Sequence, residues 1–390
     1  MNGVEYLLGS EDLSITPSNL FSDEVCSFTS ELSSVLMASK SGREYADIAT
    51  LAFWSRKGNI NKLRNDSADI SRRLGRGLCF HFSSPNIPTN FAYSWLISLL
   101  AGNANIVKLP EKTFPQVGNI LEAIHTVINN YPDIRRRTAF VQYASHEDIN
   151  GLFSSDADAR MIWGGNQIIK HMKQLDTKPR CIDIVFGDRY SVCMINGKSI
   201  LDADDAGIRR LAEDFYNDTY LVDQNANSSP QLILWVNDSV SARERFWGAL
   251  LRYASDKYDL KTSFAIDKYT QMCDDAIETG SLLSVKRNGS LLYRAELGSL
   301  KQSVEKLRGI GGYFYEYSLG DISELRDIVS QEFQTITQFG MEEDALLDFI
   351  VSNNLPGIDR IVRIGKAMNL GLIWDGYDLI SMLSRIIYKE

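Results

Sequence analysis

The 390-residue sequence lacks paired cysteines: its five cysteines stand at unrelated spacings and none forms a C-x-x-C. That sets aside a zinc site and a disulfide frame and predicts reduced thiols. It also lacks basic excess, with 41 basic against 50 acidic residues and a net charge of −9. A nucleic-acid binder carries a basic face and a protein docked on anionic lipid carries basic clusters, so neither partner is expected. No window holds eighteen consecutive apolar residues, and the first residues show no basic stretch followed by an apolar one. The expectation is therefore no membrane span, no signal peptide and a cytoplasmic location. The four histidines, His81, His125, His146 and His171, have no metal-ligand spacing, so no metal is predicted. No 20–50-residue period appears, which excludes repeat folds. Nor is there a G-x-G-x-x-G opening a helix or a G-x-S-x-G elbow. Gly75 and Gly77 precede a strand-like run; Gly309, Gly311 and Gly312 have no strand-to-helix context; Gly197-Lys198-Ser199 has Val192 where a P-loop needs its first glycine.

What is there is an ordinary globular composition, 44% hydrophobic and 23% charged, in a chain long enough for two or three domains. Residues 1 to about 75 read as helical. From Leu78 short apolar runs alternate with helical periodicity: strands at Leu78–Phe82, Asn105–Leu109, Thr138–Tyr143 and Met161–Trp163, helices at Phe91–Leu100, Val117–Asn129 and Gln167–Gln174, with Ser191–Ile195 closing the series. This alternation predicts a parallel sheet covered on both faces. After a pause near Gly197 the pattern resumes with a helix at Ile208–Phe215, a strand at Leu232–Val236 and a helix at Ala242–Tyr258. The expectation is two α/β domains: a helical segment with a nucleotide-binding domain over 1–197, a catalytic domain over 198–350, and a segment over 351–390 that packs back on the core.

Four segments have the composition of a site. Ser84-Pro85-Asn86-Ile87-Pro88 is a rigid turn whose Asn86 amide either caps the next helix or donates to a developing oxyanion. Gly102 to Lys112 is a helix stop, a strand and a proline exit; it puts Lys108, Pro110 and Glu111 at a strand's C-terminal end, where open α/β sheets bind ligands and an ammonium and a carboxylate can hold ribose hydroxyls. Trp163-Gly164-Gly165-Asn166 runs a strand through two glycines into a helix, a place that suits phosphate. Asp223 to Pro230 is a small polar loop ahead of a buried strand.

In this order the segments resemble the aldehyde dehydrogenase superfamily, and more closely its acyl-CoA reductase branch, the LuxC-like component of fatty-acid reductase. Ser228-Ser229-Pro230 is similar to that branch's C-S-S-P, Gln334-Thr335-Ile336-Thr337 with Phe339-Gly340 to its Q-T-x-x-x-F-G, and Asp359 to Gly365 with Trp374-Asp375-Gly376 to its C-terminal signature. The resemblance spans roughly residues 75–385. It implies an aldehyde-dehydrogenase-like α/β fold and NAD(P)H-dependent reduction of an acyl thioester to an aldehyde through a covalent thioester. The implied cofactor is NADPH, with NADH possible because Glu111 would pair with a free ribose 2′-hydroxyl. Ser84, Lys108, Pro110, Glu111, Gly164, Gly165, Gln334 and Thr335 are the implied cofactor residues, and Asn86 with the backbone N–H of residue 227 the oxyanion donors. The implied partners are an acyl-CoA or acyl-protein thioester, an acyl-protein synthetase and further copies of the chain.

The sequence departs from the branch at one decisive position: where the resemblance expects the nucleophilic cysteine stands Asn227. A carboxamide is no substitute for a thiolate. Three readings are open: a substitution introduced to trap the thioester or silence the enzyme, a natural homologue that binds a partner without reacting, or another residue doing the chemistry. Where oxidising relatives carry a base glutamate, the nearest match here is Val185, as expected of an acyl group that is reduced and not hydrolysed.

Overall fold

The computed structural model describes residues 3–83, 87–112, 114–144, 147–300 and 303–390. The chain forms two compact units, one from Met1–Asp188 with Leu370–Glu390 and one from Arg189–Asn369.

The first unit opens with a short strand, β1 (Glu5–Leu8), then helices over Asp23–Ala38, Lys40–Glu44, Ala46–Trp54 and Lys57–Asp66, then β2 (Arg73–Gly75). The strand-like β1 interrupts what periodicity reads as helical: its four residues are too few for alternation to show. From β3 (Leu78–Phe82) the expected alternation follows, through a helix over Asn90–Leu100, β4 (Ala104–Lys108), a helix over Pro115–Ile128, β5 (Thr138–Gln142), β6 (Ala159–Trp163), a helix over Asn166–Met172 and β7 (Ile182–Phe186). The sheet order is β1-β5-β4-β3-β6-β7, with β1 antiparallel and the rest parallel. The helix over Asn90–Leu100 is buried all round, which is why its sequence reads as apolar on every face. Leu379, Ile380 and Leu383 from the chain's end join this unit's core, and a strand over Ser384–Ile386 pairs with β2.

Sequence reading missed β7 because Asp183 breaks its apolar run. The structure explains the aspartate: Arg160 of β6, 2% exposed, donates to both its carboxylate oxygens at 2.7 and 2.8 Å.

The second unit begins at β8 (Tyr190–Asn196) and continues through a helix over Asp205–Asp218, β9 (Pro230–Val236), helices over Val240–Lys257 and Thr262–Glu278, β10 (Leu282–Asn288), β11 (Leu292–Leu297), β12 (Tyr313–Ser318), β13 (Phe333–Phe339) and β14 (Arg360–Arg363). The sheet order is β10-β11-β12-β9-β8-β13-β14, with only the edge strand β10 antiparallel. The expected boundary at 197/198 therefore falls at 188/189. β8 does not close the first sheet; it lies inside the second, paired to β9 and β13. An apolar strand reads the same in either sheet, so the sequence alone assigned it to the wrong one. The expected C-terminal segment 351–390 likewise divides: residues up to Asn369 belong to the second unit and those from Leu370 to the first. No helix among the described residues is long and apolar enough to cross a membrane.

Candidate active site

In the first unit the chain runs from β3 outward to β4 and β5, then returns across β3 to β6 and β7. The connections diverge between β3 and β6. In a doubly wound sheet, ligands bind outside the carboxyl ends of the strands at that point. Lys108 ends β4 on this edge, and Gly164 and Gly165 follow β6 there. The structure thus brings Lys108, Pro110, Glu111, Gly164 and Gly165 to one edge of one sheet. Ser84 and Asn86, which follow β3, lie outside the described residues.

Lys108 is 3% exposed and its ammonium lies 4.7 Å from the Phe82 ring centre and 4.9 Å from that of Tyr143. Its Nζ donates to Glu111 Oε1 at 3.0 Å, while Glu111 stays half exposed. A cation held between two rings and tied to one carboxylate has little freedom, so the pair presents a fixed donor and acceptor. Tyr143 is fixed in turn by donating to Asn150 Oδ1 at 2.7 Å. The neighbouring Lys112 does not join the pair; its Nζ lies over the Phe114 ring, 5.0 Å from the centre.

At the glycine turn the geometry is more specific than composition suggested. A Cβ on Gly164 would come within 3.2 Å of the Ile168 side chain, so that glycine answers a packing need. Gly165 caps the helix over Asn166–Met172, and Asp188 Oδ2 already accepts the Asn166 N–H at 3.0 Å, with the Asn166 side chain accepting from Asp188 N in return. Asp188, not recognised in the sequence, so occupies part of the helix terminus where phosphate was expected.

Beneath this edge His81 is wholly buried, bonded through Nδ1 to Ser94 Oγ at 2.7 Å and through Nε2 to Asn105 Oδ1 at 2.9 Å. The Asn105 amide oxygen only accepts, so Nε2 carries a proton. Burial lowers its pKa to about 4. It belongs to the sheet's interior and is no catalytic base.

The second unit gathers Asn227, Gln334 and Thr335 at the N-terminal ends of β8, β9 and β13. The loop before β9 is held at both ends. Asp223 and Gln224 have φ of 54° and 61°, left-handed values that non-glycine residues adopt only when their surroundings hold them there. Gln224 supplies the hold: its Nε2 donates to Pro230 O at 3.2 Å and Tyr313 O at 3.0 Å, and its Oε1 accepts the Gly312 N–H at 3.2 Å. Asp223 accepts from Tyr258 at 2.8 Å and Lys261 at 2.6 Å. Further on, Ser229 Oγ donates to the Asp218 carbonyl at 2.8 Å. The Asp218 carboxylate accepts the N–H groups of Gly365 and Ala367 at 2.6 and 3.0 Å, tying in the turn after β14. Asp218 is 1% exposed, and burial pushes its pKa up to about 7 despite those two donors.

At the centre of the loop, Ser191 Oγ donates to the Asn227 carbonyl at 2.7 Å and accepts the Thr335 N–H at 3.3 Å. Gln334 and Thr335 are both buried, and the Thr335 hydroxyl donates to Gln334 Oε1 at 3.3 Å. Ser191, Asp218 and Gln224 were not singled out as functional in the sequence. The signal available for Ser191 was a small polar residue opening an otherwise apolar strand.

Four of the five cysteines are poor replacement nucleophiles. Burial pushes the Cys79 thiol up to about 12 and the Cys181 thiol up to about 11, and raises Cys26 and Cys193 as well, so none of these four is a ready thiolate. Ser228 Oγ contacts Met368 Sδ at 3.7 Å and Ser229 serves the Asp218 carbonyl, so neither bonds to a base among the described residues. Nor does any group of three His, Cys, Asp or Glu side chains among those residues form a metal site. A separate cavity of about 140 Å³ at the other edge of the second sheet is lined by Arg243, Glu244, Lys286, Arg294 and Glu316. All five are ion-paired, which makes it a charged corner of the fold with no group left over for chemistry.

Residues 55–259 match the family model described as acyl-CoA reductase (LuxC). The chain belongs to the LuxC acyl-CoA reductase family. By family it is an aldehyde-forming oxidoreductase. The match takes in the Lys108–Glu111, Gly164–Gly165 and Asn227–Pro230 segments and ends before Gln334. Among solved structures the LuxC-family chain is similar to Thermus thermophilus 1-pyrroline-5-carboxylate dehydrogenase, with TM-score 0.65 and 10% identity over 94% of this chain and 80% of that one. It is also similar to aldehyde dehydrogenase 21 from Physcomitrella patens, with TM-score 0.62 and 12% identity over 93% and 85%. A third is an NAD-dependent benzaldehyde dehydrogenase from Corynebacterium glutamicum, with TM-score 0.61 and 13% identity over 93% and 84%. These likenesses show the aldehyde dehydrogenase fold. No curated protein matches the sequence.

Proposed function

We propose that this LuxC-family chain binds a nicotinamide cofactor at the carboxyl edge of its first sheet and an acyl thioester at residue 227, and that with Asn227 it holds the thioester without reducing it. The observation that carries the reading is Asn227 itself. It stands on a loop fixed by Gln224, Ser191 and Asp218, beside Ser228 and Ser229, neither of which is paired to a base among the described residues. A carboxamide cannot form the covalent acyl-enzyme, and hydride reduction in this family follows from that intermediate.

The residues at the first edge suit a dinucleotide. The Lys108 ammonium and Glu111 carboxylate are the donor and acceptor that ribose hydroxyls require, at the position in the fold where doubly wound sheets take nucleotides. A nicotinamide is the hydride donor that aldehyde-forming reduction requires. The Glu111 carboxylate would repel a 2′-phosphate, and Lys112, turned onto Phe114, does not offset it. This favours NADH over the NADPH that the family resemblance put first. Asp188 at the helix terminus adds a second carboxylate against extra phosphate charge. Asn86, with the N–H of residue 227, is the proposed oxyanion donor; Gln334 and Thr335 are the proposed nicotinamide-side residues.

The deciding experiment compares the chain with its Asn227→Cys variant, following NADH and NADPH oxidation with acyl-CoA thioesters of several lengths. Turnover only in the variant is the expected result. Equal turnover in the unsubstituted chain would place the chemistry at another residue. The same titrations read cofactor preference: NADH is expected to bind at least tenfold more tightly than NADPH, and Glu111→Gln to narrow that gap. Asn227 also supports a second reading, in which the chain serves as a non-reacting partner of an acyl-protein synthetase. That reading gains if both proteins bind cofactor and neither turns over any acyl-CoA.

A further inference from the structure

Ser191 opens β8 and is wholly buried. The strand's side chains alternate between its two faces. Tyr190, Val192 and Met194 enter one core cluster, while Cys193 and Ile195 enter another, and Ser191 shares the face of the latter pair. An alanine or valine would satisfy that apolar face. The residue is instead a serine whose hydroxyl is used in both directions: it accepts the Thr335 N–H of β13 at 3.3 Å and donates to the Asn227 carbonyl at 2.7 Å. The irregular register between β13 and β8, over Phe333 to Ile336, falls where this bond forms. The Thr335 N–H thus donates to a side chain, and the hydroxyl's own proton goes to the residue 227 carbonyl.

We propose that Ser191 is the positioning residue of the acyl-accepting site, its hydroxyl fixing the peptide that follows residue 227 and with it the direction in which the residue 227 side chain leaves the backbone. This rests on the reading of residue 227 as the thioester position. The Asn227 carbonyl accepts from this side chain, and the stretches before and after it are held by Gln224 and by Ser229 on Asp218. Loss of the hydroxyl removes an acceptor from the buried Thr335 N–H and a donor from the Asn227 carbonyl. A displacement near 1 Å in a reacting group costs about 100-fold in rate. The consequence is a fall in acyl transfer, while the Lys108–Glu111 pair, in the other unit's sheet, keeps its own bond.

The test uses the full chain in two backgrounds. With Asn227→Cys, acylation of the introduced thiol by acetyl-CoA and octanoyl-CoA, without cofactor, is timed by intact-mass spectrometry. Adding Ser191→Ala is expected to slow acylation 10- to 100-fold; Ser191→Thr, which keeps a hydroxyl, is expected to recover most of the rate. In the unsubstituted chain, Ser191→Ala is expected to speed amide exchange at residues 226–229 at least tenfold while β8 and β13 keep their protection. Thermal melts confirm that each variant is folded. If a folded Ser191→Ala variant leaves both acylation and loop exchange unchanged, the proposal is overturned. If the introduced thiol takes no acyl group from either thioester, the thioester reading fails by itself, and loop exchange alone then decides whether Ser191 holds residue 227.

Discussion

His81 shows how a single buried side chain links stability to pH. Its ring is neutral in the folded chain, with a pKa of about 4 against an ordinary 6.5, because burial penalises the charged form. Between those values the unfolded chain binds a proton that the folded chain refuses, so stability rises with pH through this window and is complete above 6.5. The shift is worth about 3 kcal/mol. Asp218 works in the opposite sense. Its folded pKa of about 7 lies above the ordinary 3.8, so the folded chain holds the extra proton and stability falls as pH rises from about 4 to 7. The two contributions nearly oppose each other in the wild-type profile, which makes substitution the way to separate them. Urea unfolding at pH 7.5 and pH 5 is expected to show a smaller acid loss in His81→Gln than in the parent chain. Asp218→Asn is expected to show a larger acid loss than the parent chain, because the opposing contribution is gone. An acid loss that is the same with and without His81 would mean that the ring is charged in the fold.

At the level of elements, the β6–β7 pair carries the next prediction. Arg160 is 2% exposed and its guanidinium meets Asp183 through two bonds, with a third to Met172 O at 2.8 Å. Asp183→Ala leaves a buried, unpaired charge and is expected to destabilise the chain by about 3–5 kcal/mol, whereas Arg160→Met with Asp183→Leu is expected to be within about 1 kcal/mol of the parent. Chemical denaturation measures both. This same pair marks the limit of what the sequence told. The strands β3, β4, β5 and β9 were legible because each is a short, mostly apolar run buried on both faces, and the long helices because their apolar residues recur at helical spacing. β7 was illegible because its aspartate is explained only by an arginine on another strand. The same holds at the site. Lys108, Glu111 and the Asp223–Pro230 loop were visible as local segments. Ser191, Asp188 and Asp218 act through partners 36, 22 and 147 positions away, and no local pattern reports them.

For the molecule as a whole, the division of the chain is not colinear with the sequence, and that has a consequence for folding. The first unit is made of Met1–Asp188 and closed by Leu370–Glu390, which arrives only after the second unit, Arg189–Asn369, has been traversed. The closing segment is integral to the first core: Leu379 and Leu383 are wholly buried, Ile380 is 2% exposed, Arg76 Nε donates to the Met382 carbonyl at 2.5 Å, and Asn103 Nδ2 to the Leu383 carbonyl at 2.9 Å. Burying each such leucine or isoleucine is worth about 1.5–3 kcal/mol, so the three together rival the net stability of an ordinary domain. The second unit draws no core residue from this segment. A chain ending at Asn369 is therefore expected to lose slow amide exchange in β3, β4 and β6 while β8, β9 and β13 stay protected, and its cofactor affinity is expected to fall with the first sheet. Milder substitution at the same place, Leu383→Ala, is expected to cost about 2–5 kcal/mol and to appear in the first unit's amides alone. Equal loss of protection in both sheets would show that the two units unfold as one, and that the closing segment stabilises the whole chain and not the unit it completes.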